Sequence, residues 1–168
     1  ELHEVDIANI TEEIKFISPY DDFPTLVDRD LVLQNSRVII EYLDERFPHP
    51  PLLPVDPVAR AKFRLALDRI EHTWYPEFDK AYKNGALEDS FVDKIKSYFL
   101  EIIPLITDSY FMSDDFGLVD CSLAPLLWRI KSLGVEITEN KKIIDDYSDR
   151  IFNRESFQAS LTETERDM

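Results

Sequence analysis

The chain has 168 residues, 44% of them hydrophobic, with 34 Asp and Glu against 19 Lys and Arg, a formal charge of −15 at pH 7. That length can bury a sizeable core in one domain or two. The acidity argues against direct binding to nucleic acid or anionic lipid, because both need basic surface to displace counterions, and solubility is its plain account.

The chain opens on Glu1 rather than Met, so a start upstream is expected, and no secretory pattern is present. Leu2-His3-Glu4-Val5-Asp6-Ile7 alternates apolar and polar, the mark of a half-buried strand. Asn9 and Thr11 can cap a short helix carrying Ile14 and Ile17, which stops at Ser18-Pro19 because a residue before proline is pushed out of helical geometry. Tyr20-Asp21-Asp22 then loops to Phe23-Pro24-Thr25-Leu26-Val27, a short strand opened by a proline. Asp28-Arg29-Asp30 supplies a turn, and Leu31-Val32-Leu33 returns as a second strand. Gln34-Asn35-Ser36 offers caps for a helix whose apolar face is Val38, Ile39, Tyr42 and Leu43. The order strand, helix, strand, strand, helix over residues 1–47 reads as a thioredoxin-like domain lacking its first strand and helix.

Residues 48–56 form a proline-rich linker: four of the eight residues from Phe47 to Pro54 are proline, which excludes helix or sheet interior. An extended, stiff segment is expected there. It serves either as a spacer or as a preformed recognition surface that loses little entropy on binding.

From residue 57 to 168 the pattern is helical. Pro57 suits a first turn, and Phe63, Leu67, Ile70, Trp74, Phe78 and Ala81 recur every three or four positions, so one face is buried. Pro76 lies inside this pattern and predicts a kink, with Asn84-Gly85 as the close. The aromatics Trp74, Tyr75, Phe78 and Tyr82 suit either a core or an interface. A second helix shows Phe91, Ile95, Tyr98 and Ile102 and ends near Pro104. Between Leu118 and Ile130 only Asp120, Ser122 and Arg129 are strongly polar, as befits a helix in the middle of a bundle. Two further helices carry Ile143, Ile144, Tyr147 and Ile151, then Phe157 and Leu161.

Chemistry-bearing constellations are few. A single cysteine, Cys121, excludes an internal disulfide framework and fits a reducing, cytoplasmic compartment. It lies in the most apolar helix, where a thiol is a core residue rather than an activated nucleophile. His3, His49 and His72 are scattered without a cysteine pair, so no metal site is expected. Three glycines cannot build a phosphate loop, and no apolar run nears the roughly 20 residues needed to span a bilayer. Asp120, three residues after Gly117 and near Asp114-Asp115, reads as a helix-start cap reaching back to free amides. Phe23 and Pro24 point to a loop whose backbone meets an extended ligand, and Asn35-Ser36 at the next helix start suit a carboxylate on its first amides. The same pair also serves simply as helix caps.

The blocks Glu41-Tyr42-Leu43-Asp44-Glu45-Arg46-Phe47-Pro48-His49-Pro50-Pro51-Leu52 and Asp120-Cys121-Ser122-Leu123-Ala124-Pro125-Leu126-Leu127-Trp128-Arg129 resemble the bacterial stringent starvation protein A family. Phe23-Pro24-Thr25-Leu26-Val27-Asp28, Asn35-Ser36-Arg37, Pro57-Val58-Ala59-Arg60 and Ser156-Phe157-Gln158-Ala159-Ser160-Leu161-Thr162 add to the likeness. The resemblance implies a glutathione-transferase-like fold, an α/β thioredoxin-like N-terminal domain followed by an all-α domain. It also implies a dimer that associates with RNA polymerase holoenzyme under starvation or stress, without established catalysis. Its proline-histidine-proline surface maps onto Pro48, His49, Pro50 and Pro51. The alternative is a glutathione-dependent transferase or peroxidase holding glutathione through Phe23, Pro24, Asn35 and Ser36. Against that, Asn35 stands where glutathione-binding relatives carry Glu or Gln, and Gly117 stands where a Ser or Thr often caps the bundle helix.

Overall fold

In a computed structural model, which describes residues 2–19, 23–84, 89–106 and 109–168, the chain divides into two compact units, Glu1–Pro51 and Leu52–Met168.

The first unit is α/β. Helix α1 (Glu12–Ile17) is capped by Thr11, whose hydroxyl accepts from the Ile14 amide, and ends at Ser18 before Pro19. Strands β1 (Thr25–Asp28) and β2 (Leu31–Gln34) pair antiparallel, Thr25 opposite Gln34 and Asp28 opposite Leu31. The two residues between them turn through Arg29 at φ 58°. Helix α2 (Ser36–Arg46) packs on the hairpin and buries Ile39 and Asp44. The Tyr42 hydroxyl donates to Asp28 Oδ2 at 2.6 Å and ties helix to turn. Val38 and Leu43, expected on the buried face of α2, are 49% and 37% exposed.

The expected strand over Leu2–Ile7 does not form. Ile7–Asn9 is a 3-10 turn held by Asp6, whose carboxylate accepts from the Ala8 amide and the Asn9 side chain. A strand needs a ladder partner, none is present among the described residues, and Asp6 offers the backbone a local bond instead.

The second unit is helical. Helix α3 (Pro57–Arg69) starts on Asp56, which caps the Ala59 amide. One turn of π-helix, Ile70–Trp74, then joins it to α4 (Tyr75–Asn84). The expected kink at Pro76 is thus taken up as a π turn: proline supplies no N–H, and the Tyr75 amide reaches back to the Ile70 carbonyl. All six stripe residues from Phe63 to Ala81 are buried, so Trp74 and Phe78 are core, while Gly85 lies outside the described residues.

Helix α5 (Asp89–Ile102) buries Phe91, Ile95, Phe99 and Ile102. Tyr98, assigned to that stripe from spacing, is half-buried and stacks on Trp74 instead. Helix α6 (Leu118–Ser132) is buried on most sides, and Gly134 at φ 68° closes it.

Gly117 is more than an acceptable cap. A Cβ there would lie 2.9 Å from the Leu52 carbonyl oxygen, so the close approach of that backbone demands glycine. Helices α7 (Lys141–Phe152) and α8 (Glu155–Ser160) follow, and Ile143, assigned to the buried stripe, is 39% exposed. A last turn, α9 (Glu163–Arg166), is closed by a capping box of Thr162 and Glu165. Trp128 Nε1 donates to the Glu165 carbonyl at 2.8 Å, and Arg129 pairs with its carboxylate at 2.7 Å. No helix among the described residues is long and apolar enough to cross a membrane.

Candidate functional site

The hairpin register brings two of the sequence-chosen groups together. With Thr25 facing Gln34 as the last pair, Pro24 and Asn35 leave the sheet at the same end. Phe23 is half-buried, Pro24 exposed, and the bond between them is cis. Asn35 stands at φ 74° and starts α2, with Ser36 exposed beside it. The Asn35 side-chain oxygen accepts from the Arg37 amide at 3.0 Å and the Val38 amide at 3.3 Å. Two of the first-turn amides that would greet a carboxylate are therefore already answered by the chain itself, and the Ser36 end is what a ligand would meet. Cap and anion site compete here for the same donors.

The segment Pro48–Pro51 is exposed throughout, but it is not the extended rod expected from its composition. The Phe47 amide donates to Leu43 O and the His49 amide to Phe47 O, both at 2.9 Å, and the His49–Pro50 bond is cis. A polyproline helix has no such internal bonds, so the chain bends in a tight turn. Further on, Leu53 is 4% exposed and anchored in the second unit.

Sequence reasoning passed over Phe47 itself. Its ring is 66% exposed, the Arg46 guanidinium lies 5.3 Å from its centroid, and backbone bonds fix both its amide and its carbonyl. An apolar aromatic directly before a run of prolines was the available signal.

The buried polar centre of the second unit is Asp120, which is fully buried. Its Oδ2 accepts from the Gly117 amide at 2.7 Å; its Oδ1 accepts from the Phe111 amide at 3.0 Å and the Tyr147 hydroxyl at 2.6 Å. Burial pushes its carboxyl above the ordinary range against those three bonds. Burial likewise holds the Tyr147 phenol well above its ordinary value, with the Asp120 charge adding to it. Asp120 is thus a cap, as expected, and also the hub that ties a loop and α7 to the start of α6. Asp114 and Asp115 are exposed and do not touch it. Cys121 is half-buried, and no group of His, Cys, Asp and Glu among the described residues could hold a metal ion.

Tyr75 carries a measurable pH dependence. Its hydroxyl donates to Ser122 O at 3.0 Å, and burial pushes its phenol from 10 up to about 12. The folded chain keeps a proton that the unfolded chain releases. The stabilisation is full below pH 10 and is lost as the pH climbs toward 12. Urea unfolding across that window should show the wild type losing roughly 2 kcal/mol more than Tyr75→Phe. Parallel curves for the two proteins would refute the assignment.

Residues 1–51 match the family described as "Glutathione S-transferase, N-terminal domain" and residues 59–155 match "Glutathione S-transferase, C-terminal domain". The chain is 52% identical to the "Stringent starvation protein A homolog" of Histophilus somni over 162 residues, spanning 95% of this chain and 76% of that protein. It is 47% identical over 172 residues to the homolog of Coxiella burnetii, covering 100% of this chain and 82% of that one. In shape it is similar to glutathione transferase Omega 3C from Trametes versicolor, with a TM-score of 0.84 over 96% of this chain and 76% of that one. At 23% identity this last likeness speaks for the fold alone.

Proposed function

The chain belongs to the stringent starvation protein A family, on the glutathione S-transferase fold, and from that premise we propose that it is a transcription regulator of starvation that works by docking on RNA polymerase. The observation that carries the reading is the exposed turn Pro48–Pro51 with Phe47 at its base. Its backbone is held by its own hydrogen bonds, so docking costs little ordering entropy. The formal charge of −15 suits contact with a basic protein face rather than with DNA.

A second reading, a glutathione-dependent transferase or peroxidase, is favoured by the meeting of Pro24, Asn35 and the exposed Ser36 at one end of the hairpin. Asn35 weighs against it, since its side chain occupies the amides of Arg37 and Val38.

Capture of holoenzyme by the purified protein separates the two. The double variant His49→Ala and Pro50→Ala should lose capture at least about tenfold, while its thermal midpoint stays within a degree or two because both side chains are exposed. Undiminished capture would remove these residues from the contact. A calorimetric titration with glutathione, run beside it, should be flat; micromolar binding with turnover of an electrophile would establish the enzyme instead.

A further inference from the structure

We propose that the outward face of α3 is where two copies of this chain meet, seated on the acidic first unit of the second copy. The inward face of the helix is spent on the core through Phe63 and Leu67, each 3% exposed. The opposite face runs Val58, Ala61, Lys62, Leu65 and Arg69, all exposed and spaced by three or four. Val58 is 65% exposed and Leu65 72%, two turns and about 10 Å apart on one line of the helix. Scattered exposed apolar residues need no account, but a pair aligned on one helical stripe makes a surface that can be covered.

The charge of this helix runs against the rest of the molecule. It carries Arg60, Lys62, Arg64 and Arg69 against Asp68 alone, a formal +3 within a chain of −15. The first unit, residues 1–51, has twelve carboxylates against four Lys and Arg, a formal −8. It also shows exposed Val27, Val32 and Val38. One chain therefore holds both halves of a complementary contact, basic with apolar and acidic with apolar, and a two-fold pair makes that contact twice.

A nucleic acid would match the cations of α3 but leave Val58 and Leu65 uncovered, and the remaining charge would repel it. Arg60 is engaged with Pro54 O and Arg69 with Glu101, so Lys62 and Leu65 are the residues that test the contact. The inference stands apart from the polymerase reading, which uses other residues.

Sedimentation equilibrium of the wild type at micromolar concentrations should give a dimer that weakens as salt is raised. Leu65→Glu should raise the dissociation constant at least about tenfold while keeping circular dichroism and thermal midpoint, since the side chain is exposed. Zero-length carbodiimide cross-linking should join Lys62 to a carboxylate within residues 1–51 in the dimer band. A monomeric wild type, a dimer indifferent to Leu65→Glu, or Lys62 cross-links confined to the second unit would each overturn the proposal. So would a monomer that binds a short DNA duplex through Lys62.

Discussion

Replacing Asp120 with alanine is expected to cost about 3–5 kcal/mol of stability, the largest effect of any single polar substitution described above. The carboxylate is fully buried and is the common acceptor for three donors from three separate places: the Phe111 amide, the Gly117 amide and the Tyr147 hydroxyl. Deleting it leaves all three buried and unanswered, each worth about 1–3 kcal/mol when orphaned. Relaxation and entering water recover part of that sum. Against a typical total stability of about 5–15 kcal/mol, the variant should be largely unfolded at temperatures the wild type withstands. Two companions make the result interpretable. Tyr147→Phe removes one donor together with its acceptor contact and should cost about 1–2 kcal/mol, while Asp120→Asn keeps an acceptor oxygen and should fall between the two. Urea denaturation of the three variants measures the order. If Asp120→Ala cost no more than Tyr147→Phe, the carboxylate would be a cap for α6 and nothing more.

That hub shows where reading the chain stops. Gly117 and Asp120 are three residues apart, so a cap at the start of α6 was legible from spacing. Tyr147 lies 27 residues downstream on another helix, and no local rule couples it to Asp120. The stripe from Phe63 to Ala81 was legible in full because helical spacing alone decides which side faces inward. In α5 the same spacing allows either Tyr98 or Phe99 after Ile95. Packing chose Phe99, leaving Tyr98 to cover Trp74 at the edge of the core. Leu2–Ile7 misled because six alternating residues mark a strand only where a neighbouring strand exists to pair with them.

The two candidate surfaces divide in the same way. Composition made the exposure of Pro48–Pro51 legible, since proline-rich backbone cannot enter a helix or a sheet. The bend did not follow from composition, because it depends on one bond from the His49 amide to the Phe47 carbonyl. Asn35 and Ser36 were rightly placed at a helix start. That the Asn35 oxygen answers two amides at once depends on a positive φ, and residue type alone does not specify one. The aligned Val58 and Leu65 were hidden by the stronger stripe on the other side of the same helix.

Trp74 offers the second large effect and a sharper test of the core. Its side chain is 1% exposed, its ring lies flat on Tyr98 at 5.0 Å, and it meets Phe99 edge-on at 5.6 Å. Trp74→Ala removes these contacts and leaves a cavity, for an expected loss of about 3–5 kcal/mol. Trp74→Phe should behave differently. The indole Nε1 is buried with no hydrogen-bond partner, so the native state already bears an unsatisfied donor. Phenylalanine retires that donor, a relief of about 1–3 kcal/mol, while giving up only part of the ring's packing. The phenylalanine variant should therefore cost less than half as much as the alanine one. Trp128 remains as the fluorescence reporter for urea unfolding of both. Equal losses for the two variants would mean that the indole N–H is bonded in solution, to a water within the unit. The π turn over Ile70–Trp74, where Pro76 offers no N–H to the carbonyls before it, would then be the place to look for that water's second partner.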